Sequence, residues 1–188
     1  HSETTQRKDY NKLVAASPSP ILDRAIGAVY PPGSTFKLVV TAAALQHGYT
    51  PTTQVTGAPT ITLPGTGGAT LSNYDHEDCA DAGGSPVTLT DALAYSCNTA
   101  YATVAMSVGA SELKKQAAAF GIDGQDWDLD GFPVAGSRTG DMADDAAVAQ
   151  SGIGQRDVAL TPLQDAMVAA TIANHGQRMQ PYLVAKTT

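Results

Sequence analysis

The chain has 188 residues, a formal net charge of -7, 43% hydrophobic residues and 6% aromatic residues. This length suits one domain or most of one, and the negative charge argues against nucleic acid or an anionic membrane surface as a partner. No apolar run approaches the roughly 20 residues of a membrane-spanning helix, and no leader peptide is visible. The composition describes a globular domain whose activity must be inferred from individual residues.

The first predicted elements are a short, polar helical lead-in over residues 1–12 and a loop at Ser17-Pro18-Ser19-Pro20. The stretch Pro31-Pro32-Gly33-Ser34-Thr35-Phe36-Lys37 then opens an apolar run. We predict one central helix from about Ser34 to His47, ended by Gly48. A helix that is apolar nearly all round is a buried helix, so other elements should surround it.

Ser34 and Lys37 are three positions apart, which places them on one face of this helix. Burial favours the neutral form of a lysine amine, and a neutral amine can take the proton of a serine hydroxyl. The N–H groups at a helix start also favour negative charge beside the serine. The two residues are therefore a candidate nucleophile and base. The alternative is that Ser34 caps the helix and Lys37 extends to solvent.

After Gly48 the sequence becomes rich in β-branched residues. Val55, Thr60-Ile61-Thr62-Leu63 and Ala69-Thr70-Leu71 alternate around several glycines, which predicts a small β-hairpin. A polar loop follows, and its acidic residues are expected to be solvated: Asp75, Glu77, Asp78 and Asp81.

Two predicted helices flank a polar tripeptide in the middle of the chain. Thr90 or Asp91 is expected to cap a short helix through Tyr95, and Thr99–Val108 forms the second helix. Between them lies Ser96-Cys97-Asn98, where a loop would enter a cleft. The alternative is that Asn98 simply caps the second helix.

The next segment contains an acidic run that imitates a calcium loop. Ser111 is expected to cap a helix that ends at Phe120. The run Asp126-Trp127-Asp128-Leu129-Asp130-Gly131 begins like an EF-hand, but Ser137 stands where a bidentate Glu is needed. We therefore expect an acidic connection in which Trp127 is a packing anchor.

Two segments near the end of the chain carry helix and loop signals. Gln150 to Gln155 is glycine-rich, but it lacks the Gly-Lys-Ser/Thr that a phosphate-binding loop requires. Thr161-Pro162-Leu163-Gln164 has the pattern of a capping box with proline at the first helical position, and a helix is predicted from it to Gly176.

Several of these motifs together resemble the penicillin-binding proteins, the serine D,D-transpeptidases of bacterial wall synthesis. Residues 30–37 match the S-x-x-K stretch of that family, and Ser96-Cys97-Asn98 matches its S-x-N motif 62 positions later. Leu22-Asp23-Arg24-Ala25 is similar to the family's L-N-R-A, with Asp23 for the usual Asn. Residues 160–164 and 172–176 are similar to its T-P-L-Q and A-N-x-G segments. The resemblance covers roughly residues 10–185 and is closest to the monofunctional, class B enzymes of actinobacterial type.

The family's third motif, K-T-G, is not matched. Lys186-Thr187-Thr188 lacks the glycine, and the family places K-T-G several tens of residues after such a position. We therefore expect residues 1–188 to be one transpeptidase domain truncated at both ends, in which much of the sheet is missing.

The resemblance implies an α/β fold of the serine transpeptidase and β-lactamase type, with a helix-rich portion around the Ser34 helix. It implies that Ser34 attacks the D-Ala-D-Ala carbonyl, that Lys37 takes its proton and that Ser96 relays a proton. Asn98 would bind the acyl donor, and residues 150–155 would lie beside the cleft. One oxyanion donor would lie on the missing K-T-G strand, so the chain alone is expected to be feeble or inactive.

The resemblance also implies partners and a location. The partners are peptidoglycan stem peptides and β-lactam antibiotics, and the intact protein is expected to be membrane-anchored, extracytoplasmic and associated with wall-synthesis proteins. No cofactor or metal is expected, because no histidine completes a metal pattern with the cysteines. Alternatives are a serine β-lactamase, a β-lactam sensor domain and, remotely, a protease that uses Cys97.

The two cysteines are Cys79 and Cys97. They are either unrelated small core residues or a disulfide that closes the acidic loop onto the Ser96 turn. An extracytoplasmic enzyme permits a disulfide, but its geometry cannot be read from the sequence.

Overall fold

The computed structural model describes residues 3–124 and 128–185. Among these residues the helices are α1 (Glu3–Ala15), α2 (Arg24–Gly27), α3 (Lys37–Gln46), α4 (Leu89–Ala94), α5 (Asn98–Val108), α6 (Ala110–Ala119), α7 (Asp145–Gly152) and α8 (Pro162–Ala173). The strands are β1 (Gln54–Gly57), β2 (Thr60–Thr62), β3 (Thr70–Ser72), β4 (Gly84–Thr88), β5 (Asp128–Leu129) and β6 (Phe132–Pro133). The strands form three separate antiparallel pairs. The described residues contain more helix than strand.

Helix α3 is the buried helix that the sequence predicts, but its first turn differs from the prediction. The α-helix begins at Lys37, and Ser34 lies in a 3₁₀ turn over Gly33–Phe36. The N–H of Lys37 donates to the carbonyl groups of Ser34 and Thr35, which is the tighter pattern common at helix starts. The helix ends before His47, whose N–H still bonds to the carbonyl of Ala43, and the predicted stop at Gly48 is confirmed.

Three helices enclose α3. Helices α5 and α6 pack directly against it, α8 contacts it further along, and α7 packs on the far side of α5. The core between them is made of buried apolar residues: Phe36 from the 3₁₀ turn, Val39, Val40 and Ala44 from α3, Tyr101 and Val104 from α5, and Leu113 from α6. Small side chains such as those of Ala44, Ala100 and Ala105 are fully buried, which allows the helices to approach closely.

The predicted hairpin is confirmed for two of its three segments. Strands β2 and β3 pair in register from Thr60↔Ser72 to Thr62↔Thr70. The assignment of Val55 to this hairpin is wrong, because Val55 lies in β1 and pairs with Val87 of β4. Both valines are buried in the main core, so hydrophobic burial selects a partner distant in the chain over the nearest one.

Two predicted helix caps are corrected, and the alternative in which Asn98 caps α5 does not occur. Thr88 caps α4, because its Oγ1 accepts the N–H of Asp91 at 3.1 Å, so neither Thr90 nor Asp91 is the cap. Asn98 is the first residue of α5 rather than its cap, and Cys97 occupies the cap position. Helix α6 begins one residue before Ser111, because Leu113 already donates its N–H to the carbonyl of Gly109.

The glycine-rich segment Gln150 to Gln155 is helical in its first half. Helix α7 continues to Gly152, and the chain turns at Gly154. The predicted start of α8 is confirmed, since Thr161 Oγ1 accepts the N–H of Gln164 and Pro162 follows it. The N–H of Thr161 donates to Ser137 Oγ at 3.0 Å, and the Gln164 side-chain amide donates to the carbonyl of Phe120 at 2.8 Å.

Several expectations fall outside the described residues, namely those on Asp126 and Trp127 of the acidic run and on the imitation motif Lys186-Thr187-Thr188.

Asp130, at the end of the acidic run, accepts the N–H groups of Leu183 and Val184. These two bonds, that of Val184 above all, hold the pKa of Asp130 below its ordinary value. None of the described helices is long and apolar enough to cross a membrane.

Candidate active site

The candidate nucleophile and base lie together where α3 begins. Lys37 is fully buried and Ser34 is exposed, so the amine lies beneath a hydroxyl that faces solvent. Lys37 Nζ is 3.2 Å from Ser34 Oγ. The i, i+3 spacing produces this contact because Lys37 opens the α-helix one turn after Ser34. The alternative in which Lys37 extends to solvent does not occur.

Ser96 reaches the same amine from the connection between α4 and α5. Its carbonyl oxygen is 2.6 Å from Lys37 Nζ, and its hydroxyl oxygen is 3.0 Å away. Ser96 Oγ also donates to Ser34 Oγ at 2.9 Å. The backbone of Ser96 is left-handed, with φ 56°, and this conformation directs the carbonyl and the side chain toward Lys37 together.

Asn98 completes the cluster. Its Oδ1 accepts from Lys37 Nζ at 2.8 Å, and its Nδ2 donates to the carbonyl of Ser72 on β3 at 3.2 Å. An amide nitrogen carries two hydrogens, so one remains available toward the cleft. The four residues that the sequence singles out, Ser34, Lys37, Ser96 and Asn98, are therefore brought together by the fold.

The hydrogen-bond acceptors around Lys37 Nζ determine where the lone pair of the neutral amine points. Two of its four acceptors are carbonyl oxygens, on Ser96 and Asn98, which can only accept. A neutral amine has two hydrogens, and once both go to these oxygens the lone pair is left for the hydroxyl of Ser34, because the single hydroxyl hydrogen of Ser96 goes to Ser34 Oγ. The amine makes no ion pair among the described residues, and burial lowers the pKa of Lys37 from 10.5 to about 8.

Two structural partners of this cluster were not predicted from the sequence. Asn73 accepts the N–H of Thr99 at 3.0 Å and donates to the carbonyl of Glu77 at 3.0 Å, which ties the start of α5 to the acidic loop. Tyr101 is fully buried with its ring centroid 5.7 Å from Lys37 Nζ. Tyr101 could have been found by its spacing, since it follows Asn98 by three positions on the same helix.

A cleft of about 390 Å³ opens in front of Ser34 and Ser96. Its other walls come from the acidic loop and the α4–α5 connection: Asn73, Tyr74, Glu77, Asp78, Cys79, Ala80, Asp81, Tyr95, Cys97 and Asn98. Asp75, Glu77 and Asp81 of the acidic loop are exposed, as predicted, and the loop also forms a wall of this cleft. The expected position of residues 150–155 near the cleft also agrees, because the Gly33 N–H donates to the Gly154 carbonyl at 2.9 Å.

A disulfide joins two walls of the cleft. Cys79 lies in the turn Cys79–Asp81 and Cys97 lies between Ser96 and Asn98, with their Cα atoms 5.5 Å apart. Both cysteines are buried, and the bond attaches the acidic loop to the segment that presents Ser96. Among the described residues no group of His, Cys, Asp and Glu side chains is arranged to hold a metal ion.

Comparison with known proteins identifies one family. The family model for the penicillin-binding protein transpeptidase domain matches residues 2–188. The chain is 50% identical over 184 residues to the peptidoglycan D,D-transpeptidase PbpA of Mycolicibacterium smegmatis, covering 98% of this chain and 37% of that protein. It is 46% identical to PbpA of Mycobacterium tuberculosis, again covering 37% of that protein.

Solved structures show the same similarity. The penicillin G acyl-enzyme complex of M. tuberculosis penicillin-binding protein A superposes with a TM-score of 0.90 at 46% identity, over 97% of this chain and 41% of that one. Pseudomonas aeruginosa PBP2 superposes with a TM-score of 0.82 at 28% identity, over 95% of this chain and 40% of that one. The predicted fold class is confirmed. The chain spans about two fifths of the length of these relatives.

Proposed function

This chain belongs to the family of penicillin-binding protein transpeptidase domains, and from that premise we propose that the protein containing it is a peptidoglycan D,D-transpeptidase that forms an acyl-enzyme at Ser34. Residues 1–188 would be part of its single transpeptidase domain. The observation that carries the proposal is the buried amine of Lys37 within hydrogen-bonding distance of Ser34 and Ser96. The relatives named peptidoglycan D,D-transpeptidase support it.

In the first step Ser34 Oγ attacks the carbonyl carbon between the two terminal D-alanines of a stem peptide. Its proton passes to the lone pair of Lys37 Nζ, which the two carbonyl acceptors leave facing the Ser34 hydroxyl. The carbonyl oxygen becomes an oxyanion, and the backbone N–H of Ser34, at the start of the 3₁₀ turn, is one donor for it. The family resemblance implies a second donor on a K-T-G strand.

In the second step the bond to the leaving nitrogen breaks, and that nitrogen needs a proton. Ser96 is suited to supply it, because its hydroxyl contacts both Lys37 Nζ and Ser34 Oγ. The proton taken by Lys37 moves through Ser96 Oγ to the nitrogen, and D-alanine departs. An amine of a second stem peptide then attacks the ester at Ser34, loses its proton by the same route in reverse and releases the cross-linked product.

Asn98 would hold the acyl donor during both steps. Its second Nδ2 hydrogen is free to bond a backbone carbonyl of the donor, while its first holds Ser72. Lys37 and Asn98 share a hydrogen bond, so a donor bound to Asn98 lies next to the base. We assign Asn98 as a substrate-binding residue on this ground.

β-lactam antibiotics would acylate Ser34 in the same way as the donor peptide. The M. tuberculosis relative has been solved as acyl-enzymes with penicillin G and ceftriaxone. A substrate in the cell wall places the protein outside the cytoplasm, and we propose that it is membrane-anchored and works with other wall-synthesis proteins. The disulfide between Cys79 and Cys97 suits an oxidising compartment.

Covalent labelling with a fluorescent penicillin tests the proposal. The whole protein should be labelled, and peptide mapping should place the adduct on Ser34. Ser34→Ala should abolish labelling while the melting temperature stays within a few degrees of that of the wild type. The matched control is Ser107→Ala on the exposed face of α5, which should label normally. Labelling that survives Ser34→Ala, or an adduct at another residue, would overturn the assignment.

Turnover separates the proposal from its alternatives. A transpeptidase should release the penicilloyl group slowly and should join a D-Ala-D-Ala donor peptide to an added amine. Rapid release of hydrolysed penicillin with no peptide transfer would instead identify a β-lactamase. Stable acylation with no peptide transfer under any amine concentration would favour a sensor domain.

A further inference from the structure

Helices α3 and α5 are joined by two side-chain hydrogen bonds that lie one helical turn apart. The first is the bond between Lys37 and Asn98 at 2.8 Å. The second joins Thr41 Oγ1 and Tyr101 Oη at 2.6 Å. Thr41 follows Lys37 by four positions and Tyr101 follows Asn98 by three, so each helix presents its two residues on one face.

The hydroxyl hydrogens of the second bond can be assigned by counting. Thr41 Oγ1 is 2.7 Å from the carbonyl oxygen of Lys37, which can only accept, so the single hydroxyl hydrogen of Thr41 goes there. Tyr101 must then be the donor to Thr41. Tyr101 is fully buried, and this bond fixes its hydroxyl end against α3.

The bond also fixes where the aromatic ring lies. The ring centroid is 5.7 Å from Lys37 Nζ. The ring excludes water from the part of the amine that it covers, and its face is compatible with either charge state of the amine. A ring that shifts would admit water to the amine and release the constraint on the rotation of α3 relative to α5.

We propose that Thr41 and Tyr101 are positioning residues for the reaction at Ser34: their hydrogen bond sets the alignment of α3 and α5 and holds the Tyr101 ring over the Lys37 amine. This rests on the proposed function, since it assigns a role in the same acylation step. Neither residue lines the substrate cleft. Their effect on the reaction passes through Lys37 and through Asn98, which is bonded to Lys37.

The groups that face the Lys37 amine determine how its pKa would respond to a shift of the Tyr101 ring. Ser34 faces it from the 3₁₀ turn, Ser96 from the α4–α5 connection, and Asn98 and Tyr101 from α5. Among these four only Tyr101 is titratable, and burial keeps it neutral by raising its pKa. Water admitted beside Lys37 would therefore raise the pKa of Lys37 from about 8 toward its ordinary value, without a compensating charge.

The test measures acylation by a fluorescent penicillin as a function of pH, in the whole protein. Tyr101→Phe keeps the ring and removes the bond. Thr41→Val removes the acceptor. Each should lower the acylation rate at pH 7 by roughly tenfold to hundredfold, the scale of a misplacement of about 1 Å. Each should also move the midpoint of the pH profile upward, and the double variant should be no worse than the poorer single variant.

Two controls separate positioning from a general loss of packing. Thr41→Ser keeps the hydroxyl and should restore most of the rate. Thr171→Val on α8 removes a buried threonine that makes the same kind of bond to the preceding turn, to Met167 at 2.7 Å. It should lower stability without moving the pH midpoint. If Thr41→Val does not fold, Tyr101→Phe alone decides the question.

The outcomes are distinguishable from those of the proposed function. A wild-type protein that is not labelled at Ser34 refutes the proposed function. If the wild type is labelled and Tyr101→Phe keeps both the rate and the pH midpoint, the positioning role is refuted while the proposed function stands. A rate loss that is equal at every pH, with the midpoint unchanged, refutes the claim that the bond holds the Tyr101 ring over the Lys37 amine, because a shifted ring would admit water and raise the pKa of Lys37.

Discussion

The backbone of Gly33 rests directly on that of Gly154. The Gly33 N–H donates to the Gly154 carbonyl at 2.9 Å, and a Cβ atom on Gly154 would lie 2.0 Å from the Gly33 oxygen. Gly33 immediately precedes Ser34, so the turn after α7 supports the turn that presents the candidate nucleophile. No side chain fits between them.

Gly154→Ala is therefore expected to damage the site more than an ordinary glycine substitution. Gly154 has φ 69°, and the added methyl group must also displace the Gly33 backbone. We expect the free energy of unfolding to fall by roughly 3 kcal/mol, from left-handed strain and overpacking together, and penicillin labelling to slow. Chemical denaturation and labelling kinetics measure the two effects.

The control for this variant is Gly48→Ala at the other end of α3. Gly48 has φ 91°, but a methyl group added there would meet no atom within 4 Å, so only the strain applies. It should lower the free energy of unfolding by about 1 kcal/mol and leave labelling kinetics unchanged. Equal effects of the two substitutions would show that the Gly33–Gly154 contact is not important for the site.

The pH dependence of acylation should report the state of Lys37. Because burial lowers its pKa to about 8, the neutral fraction rises as the pH increases through that value. Only about a tenth of the amine is neutral at pH 7, so acylation should increase about fivefold from pH 7 to pH 8 and level off above pH 9. A profile that is flat from pH 7 to pH 9 would contradict Lys37 as the base.

Lys37→Ala should lower the acylation rate by at least about 10²-fold, the low end of what a positioned base contributes. The substitution also leaves the carbonyl oxygens of Ser96 and Asn98 without their donor, so stability must be measured with it. Lys115→Ala is the control, because Lys115 is exposed and its one ion pair among the described residues is with Glu112 at 3.5 Å. A rate within a few-fold of the wild type for Lys37→Ala would mean that another group takes the proton.

Reduction of the disulfide should loosen one wall of the cleft. The bond closes a loop with a sequence separation of 18 residues, which is worth roughly 3 kcal/mol in the chain-entropy model. For a domain of this size that corresponds to a fall in melting temperature of roughly 6–12 °C. Acylation should slow because Cys97 lies between Ser96 and Asn98, while Ser34 remains competent.

The double variant Cys79→Ser/Cys97→Ser is the reference for that experiment. It should resemble the reduced protein and should not respond to reductant. If mass spectrometry of unreduced protein from an oxidising compartment finds two alkylated thiols, the disulfide does not form. A reductant effect that persists in the double variant would have another origin.

The sequence predicts the local parts of this fold better than the distant ones. The apolar run behind Ser34 and the stop at Gly48 identify α3, because burial and helix termination are encoded within a few residues. The pairing of Val55 with Val87 is decided by which distant strand shares the core, and no local pattern reports that. The prediction of the α4 cap fails for a related reason. Thr88, Thr90 and Asp91 all carry suitable oxygens, and only the path of the backbone selects Thr88.

The site shows the same division. Ser34, Lys37, Ser96 and Asn98 could be identified because their spacing matches a known set of motifs. Asn73 could not, because its role is to accept the N–H of Thr99 from another segment, and an asparagine after a strand is common in turns. Glu77 and Asp81 are exposed, as acidic residues in a polar loop usually are, so their composition alone does not show that they also line the cleft.

Because the backbone of Ser96 is left-handed, the residue type that would best stabilise the fold at this position differs from the one that the reaction needs. At φ 56° a glycine would relieve about 1 kcal/mol of strain, and an asparagine would tolerate the conformation, but neither carries a hydroxyl. Selection for stability alone should therefore favour residues other than serine at position 96. Selection for acylation should favour serine. In a library sorted separately for protease resistance and for penicillin labelling, the two enrichment profiles should diverge at Ser96 and coincide at the helical residue Ser111.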